Sequence, residues 1–208
     1  MKRWAAVVIG LGMIVGTAVV APAATAGTGL IATKGQPVIA MSDRTTCAVR
    51  ETHRVYCWGA NAQGELGRSD LATTQTVAPV NGVYDAIAVY GATTYSGEGG
   101  GFCALRINRT LVCWGDSESY RFGDGMWAAH DDATVISGMT NVATMSMGAA
   151  VTCVAKQDGT VWCVGGSSLV LPPAGSTTYR KIAGATSATA VAVGANFACF
   201  LKVDRTVW

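Results

Sequence analysis

The sequence predicts an all-β fold, a β-propeller of four-stranded antiparallel blades, and three observations carry the prediction. A cysteine-bounded segment recurs without a gap as "TCAVRETHRVYCWG", "FCALRINRTLVCWG", "TCVAKQDGTVWCVG" and "ACFLKVDRTVW", with first cysteines at 47, 103, 153 and 199, steps of 56, 50 and 46 residues. An apolar strand pattern precedes each copy. Composition agrees: 26 Gly among many Thr and Val, with few runs of Glu, Lys or Leu, reads as short strands joined by turns. A unit of this period cannot bury its faces alone and fits a propeller blade, whereas solenoid rungs are much shorter.

Taken in chain order, Lys2 and Arg3 precede an apolar stretch from Trp4 to Val20, and the small-residue pattern Ala24-Thr25-Ala26 follows. Residues 1–26 are therefore expected to be a secretory signal cleaved after Ala26, with Ala23 as a second cut site. The competing reading is a membrane anchor, because the stretch nears the roughly 18 apolar residues that span a bilayer. Gly and Pro interrupt it, which favours cleavage. The partial propeller then occupies 27–208, with repeats at 36–81, 82–137, 138–183 and a truncated 184–208.

Each repeat opens with a strand: "PVIAMS", "DAIAVYG", "NVATMSMG" or "ATAVAVG". Gly148 and Gly194 stand five residues before their cysteines, in the place of Ser42. Gly91 stands twelve before, because "YSGEGGG", Tyr95 to Gly101, is inserted there and reads as a flexible surface loop between the first and second strands. The second and third strands form a hairpin around Gln157-Asp158-Gly159, a three-residue loop with Gly159 in the left-handed conformation. Counting outward from that turn sets Cys153 opposite Cys163 as a non-hydrogen-bonded pair, where side chains approach most closely and a disulfide fits. The same count gives Cys47–Cys57 and Cys103–Cys113. A loop of this size contributes roughly 2–3 kcal/mol of stability on the chain-entropy estimate. Zinc would need cysteines two to four apart or histidines at ligand spacing, and a C-x-x-C redox pair is equally missing.

After the third strand, "ANAQGELG" aligns with "DSESYRFG", so that Gly67 and Gly123 correspond, and a weaker fourth strand returns through "TQTVAPV" or "DATVISG". Cys199 is left over. Its repeat stops at Trp208, which matches Trp162, Val112 and Tyr56, one position before the partner cysteine. The expectation is a chain cut within a hairpin, about three and a half blades of a propeller that typically has about four to eight. The alternative is a free thiol or an intermolecular bridge.

The pattern C-[AV]-[LV]-x5-[LV]-[VYW]-C-W-G, carried by Cys47 to Gly59 with Gln63-Gly64-Glu65-Leu66-Gly67 and by Cys103 to Gly115 with Phe122-Gly123, resembles the repeat of the regulator of chromosome condensation family. Repeat three departs from it: Val164 replaces the Trp, and no "GELG" counterpart follows Gly165-Gly166. The resemblance implies a propeller of seven blades, and the cysteine pairs with a signal segment look like an exported bacterial branch. The family's founding member is a nuclear exchange factor for a small GTPase that docks on chromatin. A signal segment and a net charge of +2 argue against either role here. A secreted relative inhibits β-lactamases through aromatic-rich loops on one face, which implies a binding mode.

Fold alone does not decide function. Trp58, Trp114 and Tyr120 are candidate protein contacts on a loop face, since Trp and Tyr dominate interface hot spots; the competing role for the two tryptophans is packing between blades. His130, Asp131 and Asp132 in "MWAAHDDAT" read as a solvated loop, and the chain's other histidine, His53, lies in a hairpin turn. No G-x-S-x-G, H-E-x-x-H or G-K-[ST] motif is present, and no block of like charge suits nucleic acid. Asn108-Arg109-Thr110 matches a glycosylation acceptor that matters only in a eukaryotic secretory route. The sequence thus points to a secreted or cell-surface scaffold, with the periplasm as another destination. It would bind a protein partner, be inhibitor-like in its mode, lack catalytic residues, metal and cofactor, and have no membrane span after signal cleavage. The alternatives are the non-catalytic propeller region of a larger exported enzyme truncated after Trp208, and a purely structural surface protein.

Overall fold

The computed structural model describes residues 36–69, 74–95, 97, 99–168, 170–171 and 174–208; the expected signal segment, 1–26, lies outside these. The first sheet comprises β1 (Ile39–Met41), β2 (Thr45–Val49), β3 (Val55–Gly59) and β4 (Thr74–Pro79). The second comprises β5 (Ala86–Thr93), β6 (Gly100–Arg106), β7 (Leu111–Gly115) and β8 (His130–Val135). The third comprises β9 (Val142–Met147), β10 (Val151–Lys156), β11 (Val161–Gly165) and β12 (Ser176–Lys181), and β13 (Ala188–Val193) pairs with β14 (Ala198–Lys202). Each four-stranded sheet is an antiparallel meander in chain order, and β1, β5, β9 and β13 lie side by side from sheet to sheet. Apart from a single 3-10 turn at Glu118–Tyr120, the described residues contain no helix.

The hairpin between second and third strands follows from local chemistry. Cys47 pairs with Cys57, Cys103 with Cys113 and Cys153 with Cys163, at Cα separations of 4.2, 4.0 and 4.1 Å, and all three pairs are disulfides sealed in the core. Such bridges persist in an oxidising compartment. Cys199 is a half-buried free thiol. Where the chain reverses, the left-handed position is held by His53, Arg109, Gly159 and Arg205 in turn, with φ of 59°, 65°, 78° and 69°. Asp158 closes its turn by accepting from the Thr160 amide at 2.9 Å and hydroxyl at 2.7 Å, and Asn108 with Thr110 and Asp204 with Thr206 repeat the device. These bonds, the hydroxyl's first, hold the Asp158 and Asp204 carboxyls below their usual range. Beyond each turn a cation covers an aromatic ring: Arg50 on Tyr56 at 4.0 Å, Lys156 on Trp162 at 4.7 Å and Lys202 on Trp208 at 3.9 Å. In the second sheet Val112 replaces the ring, and Arg106 instead binds Asp85 at 2.8 Å.

The sheets are joined by packing and by a recurring backbone bond. The Ala86 amide donates to His53 O at 2.9 Å, Val142 to Arg109 O at 3.0 Å and Ala188 to Gly159 O at 2.9 Å. Three apolar cores fill the spaces: one shared by the first and second sheets, one by the second and third, one by the third sheet and the β13–β14 pair.

The inserted segment corrects the sequence reading. Gly100 and Gly101 are buried residues of β6, paired with Thr93 and Ala92, so the end of the insertion belongs to the β5–β6 hairpin, while Tyr95, Gly97 and Gly99 lie outside the strands as expected. These two glycines are packing residues: Gly100 presses on Ser42, and a Cβ on Gly101 would stand 2.8 Å from the Phe122 ring. The "MWAAHDDAT" segment is corrected in part as well, since β8 begins at His130.

Candidate functional site

The loops that follow β3, β7 and β11 share one face, and they differ. In the first, the Asn61 side chain accepts from the Leu66 amide at 2.8 Å, and Glu65 Oε2 accepts from the Gln63 amide at 2.8 Å. Glu65 is buried, which pushes its carboxyl above the usual range; backbone hydrogen bonds oppose this, while the Asp116 and Asp43 carboxylates add to it. Gly64 (φ 76°) leaves no room: a Cβ there would be 2.7 Å from Asp131 Cα and 2.7 Å from His130 O. Asp132, next along β8, accepts from the Ser69 hydroxyl and from Asn81 Nδ2 at 3.2 Å.

Trp114 seals this seam from the other side. Its indole N–H donates to Glu65 O at 2.9 Å, its ring lies 6.0 Å from that of Phe102, and it is 0% exposed. The proposal of Trp114 as a surface contact is thereby corrected: it joins blades, and it offers no surface to a partner. Trp58, its counterpart in the first sheet, is half-buried.

In the second loop, Arg121 occupies the place of Glu65. It is buried, with Nη2 3.1 Å from Asp116 and 3.6 Å from Glu118, while Nε donates to Glu118 O at 3.0 Å and Nη1 to Thr93 O at 2.9 Å. Burial pulls the guanidinium below its ordinary value, and the Asp116 carboxylate opposes that. Tyr120 stands where the first loop has Gly64. It and Ser119 both lie in the left-handed region, at φ 57° and 62°, a conformation that costs a non-glycine residue on the order of 1 kcal/mol.

The half-buried Tyr120 meets Trp127 edge-on, with ring centroids 5.1 Å apart and planes at 82°. Trp127 is 54% exposed and Met126 52%. Their segment is pinned at three points: Met126 N donates to Asp124 Oδ1 at 3.1 Å, Ser117 Oγ donates to Met126 O at 3.1 Å, and Gly125 N donates to Thr177 O at 3.1 Å. Beneath the rings opens a cleft of about 380 Å³, lined by Tyr120, Trp127, Gly165, Gly166, Ser176 and Thr177, with no charged side chain in its wall. Its wall includes Gly165 and Gly166, after which the sequence of the third repeat has no "GELG" counterpart, and Val164 beside them stands for the Trp.

Nearby, His130 Nε2 lies 2.9 Å from Asp124 Oδ2, and the His130 ring lies 5.4 Å from that of Phe122. Burial raises the Tyr179 phenol well above its usual value, and the Asp124 carboxylate adds to the shift. Among the described residues no three His, Cys, Asp or Glu side chains gather to hold a metal, and no helix is long and apolar enough to cross a membrane. Of the residues singled out from sequence, the structure thus brings Tyr120 to an open cleft, buries Trp114 and leaves Trp58 apart. Trp127 and Met126 were missed, although they lie in the same "MWAAHDDAT" segment from which the histidine and aspartates had drawn attention. Lining up Tyr120 against Gly64 was the signal that could have found the cleft.

Residues 39–65 match the family model of the regulator of chromosome condensation (RCC1) repeat. Among solved structures, the chain is similar to yeast RCC1 (Prp20) in its crystal structure with Kap60, at 15% identity and a TM-score of 0.67, over 86% of this chain and 44% of that one. It is likewise similar to human WBSCR16 at 19% identity and a TM-score of 0.66, over 86% of this chain and 48% of that one. A further structure of Prp20p from Saccharomyces cerevisiae gives 16% identity and a TM-score of 0.65, over 86% and 46%. The chain therefore spans just under half the length of these solved relatives. Its sheets share the fold of these RCC1 structures, and residues 39–65 are similar to an RCC1 repeat.

Proposed function

We propose that the chain is part of a secreted or cell-surface propeller of the exported branch of this repeat family, a non-catalytic scaffold that binds a protein partner through the loop face bearing Tyr120, Met126 and Trp127. The observation that carries the reading is the Tyr120–Trp127 pair with its exposed Trp127 ring, held in place by three hydrogen bonds and by backbone in the left-handed region. Aromatic anchors of limited flexibility are what interface hot spots are made of. Two further points support it. The disulfides fit an oxidising compartment. The yeast relative was crystallised with Kap60, and Prp20p was studied for its binding to Gsp1p and histones. An inhibitor-like mode, in which this face blocks the surface of an enzyme, is the finer form of the same reading.

The test is capture from a secreted proteome with oxidised, immobilised chain, comparing wild type, Trp127→Ala with Met126→Ala, and Trp58→Ala. A specific partner retained by wild type and Trp58→Ala but lost by the double variant supports the reading. Retention by the double variant, or no specific partner, overturns it. The second reading, a non-catalytic region of a larger exported enzyme, draws on the chain's span of under half its solved relatives, and the full reading frame distinguishes it.

A further inference from the structure

We infer that the hairpin-turn end of the blades docks on a phospholipid bilayer that carries anionic headgroups, with the turn tips at the headgroups and the loop face turned away. The inference does not depend on the scaffold reading, and it concerns the opposite end of the molecule. A net charge of +2 hides a segregation of charge. The turn tips are gathered at one end, because each hands its carbonyl to the next unit: His53 O accepts from Ala86 N, Arg109 O from Val142 N and Gly159 O from Ala188 N. Among the described residues, the four turns contribute seven cations, from Arg50 to Arg205, and Arg180 with Lys181 joins them where β12 returns to that end. The carboxylates there are Glu51, Asp85, Asp158 and Asp204, so nine cations face four carboxylates, an excess of +5. The remaining described charges, three cations and seven carboxylates, belong to the β1–β2 turn, the connections after β3 and β7, and β8, and leave that part at −4.

The apolar side chains among these cations select the bilayer. Ile107 follows Arg106 at the second tip and is 54% exposed, Val203 follows Lys202 at the fourth and is 70% exposed, and the exposed Tyr84 ring lies 4.9 Å from the Arg54 guanidinium. On a bilayer the aliphatic tips enter the boundary between headgroups and acyl chains, the tyrosine sits at the same depth, and the flanking cations stay at the phosphates. A nucleic acid would satisfy the cations but leave Ile107 and Val203 without a partner, since neither offers a ring on which a base can stack. A protein interface needs a contiguous apolar centre inside a polar rim. Ile107 and Val203 cannot supply one, because they belong to units two apart and the polar Gln157 occupies the tip between them. A fluid bilayer has no such requirement, being apolar wherever a tip enters. Each Lys or Arg close to an anionic leaflet contributes about fivefold in partition, so the charge excess at this end sets the orientation of docking.

The experiment co-sediments the oxidised full chain with vesicles of phosphatidylcholine alone and of equal parts phosphatidylcholine and phosphatidylglycerol. Expected is a partition onto the anionic vesicles about tenfold or more above that onto the neutral ones, and suppressed by high salt. Arg109→Asn combined with Arg205→Asn keeps a residue tolerant of left-handed backbone at both turns and should lower that partition about tenfold or more. Ile107→Ser should lower it about threefold or more. Arg44→Gln removes a charge from the exposed β1–β2 turn at the other end and should change it by less than about twofold. The thermal midpoint checks that each variant is folded, and residues 1–26 are common to all of them, so differences between variants belong to the substituted positions. Equal partition onto the two kinds of vesicle, insensitivity to the turn substitutions, a loss from Arg44→Gln as large as that from the turns, or no sedimentation overturns the inference. So does binding of a DNA duplex or of polyglutamate that matches the anionic vesicles and is indifferent to Ile107→Ser, which would make this end a site for a soluble polyanion or an acidic protein.

Discussion

The seam between the first two blades and the seam between the second and third are built from aligned residues, yet they are filled differently. At the first, Trp114 lies fully buried under the Glu65 loop and Gly64 rests on Asp131. At the second, Val164 takes the place of Trp114, Tyr120 the place of Gly64 and Thr177 the place of Asp131, leaving a cleft of about 380 Å³. The difference teaches that a repeat fold tolerates a large change of side chain at its seams provided the backbone bonds persist, and they do, at 2.9 and 3.0 Å. Function can then be placed where packing is thinnest.

Substitutions can break this contrast. The largest effect is expected at the buried Arg121: Arg121→Gln takes the cation from Asp116 Oδ2 and removes the guanidinium's bonds to two backbone carbonyls, a loss of about 3–5 kcal/mol measured by urea unfolding. Trp114→Ala should cost about 3–5 kcal/mol, against about 2 kcal/mol for Val164→Ala at the second seam; equal losses would show that both seams are packed alike. Exchanging the Gly64 and Tyr120 positions sharpens the comparison further. Gly64→Tyr drives a side chain into Asp131 and His130 at a left-handed residue and should cost on the order of 2–4 kcal/mol, whereas Tyr120→Gly should stay within about 1 kcal/mol of wild type.

The smallest effect concerns pH. Burial raises the Glu65 carboxyl, so the folded chain holds that proton more tightly than the unfolded one. Its contribution to stability is fully present below the ordinary carboxylate range and is lost as pH rises through the raised value. The wild type should therefore gain stability relative to Glu65→Gln on acidification through that window, and parallel pH profiles for the two proteins would remove Glu65 from the account.

Much of this architecture was legible in the residues. The ten-residue cysteine spacing around Gln157-Asp158-Gly159 dictates which residues face each other, because antiparallel pairing is a count outward from the turn. What stayed hidden depends on three-dimensional contact. Tyr95 to Gly101 has the composition of a loop, yet Gly100 and Gly101 are small because Ser42 and Phe122 press on them, a constraint that lies outside the segment. Trp58 and Trp114 are identical in local motif, and only the neighbouring Glu65 loop buries one of them fully. Trp127 stands where the first repeat has Leu71, so periodicity marked the position only as apolar and was silent about a contact.

The amide-to-turn bond from Ala86 to His53, from Val142 to Arg109 and from Ala188 to Gly159 couples each unit only to the one preceding it. Cooperativity carried by this bond is nearest-neighbour in kind, and the contacts that skip a unit are few side-chain bonds such as Gln36 Nε2 to Ala143 O at 3.1 Å and the Tyr95 hydroxyl to Ala195 O at 3.3 Å. Hydrogen exchange after a lesion at one junction should accelerate in the two flanking units and fade beyond them, so a ligand clamped across the second junction would protect its own pair of blades most and its distant neighbours least.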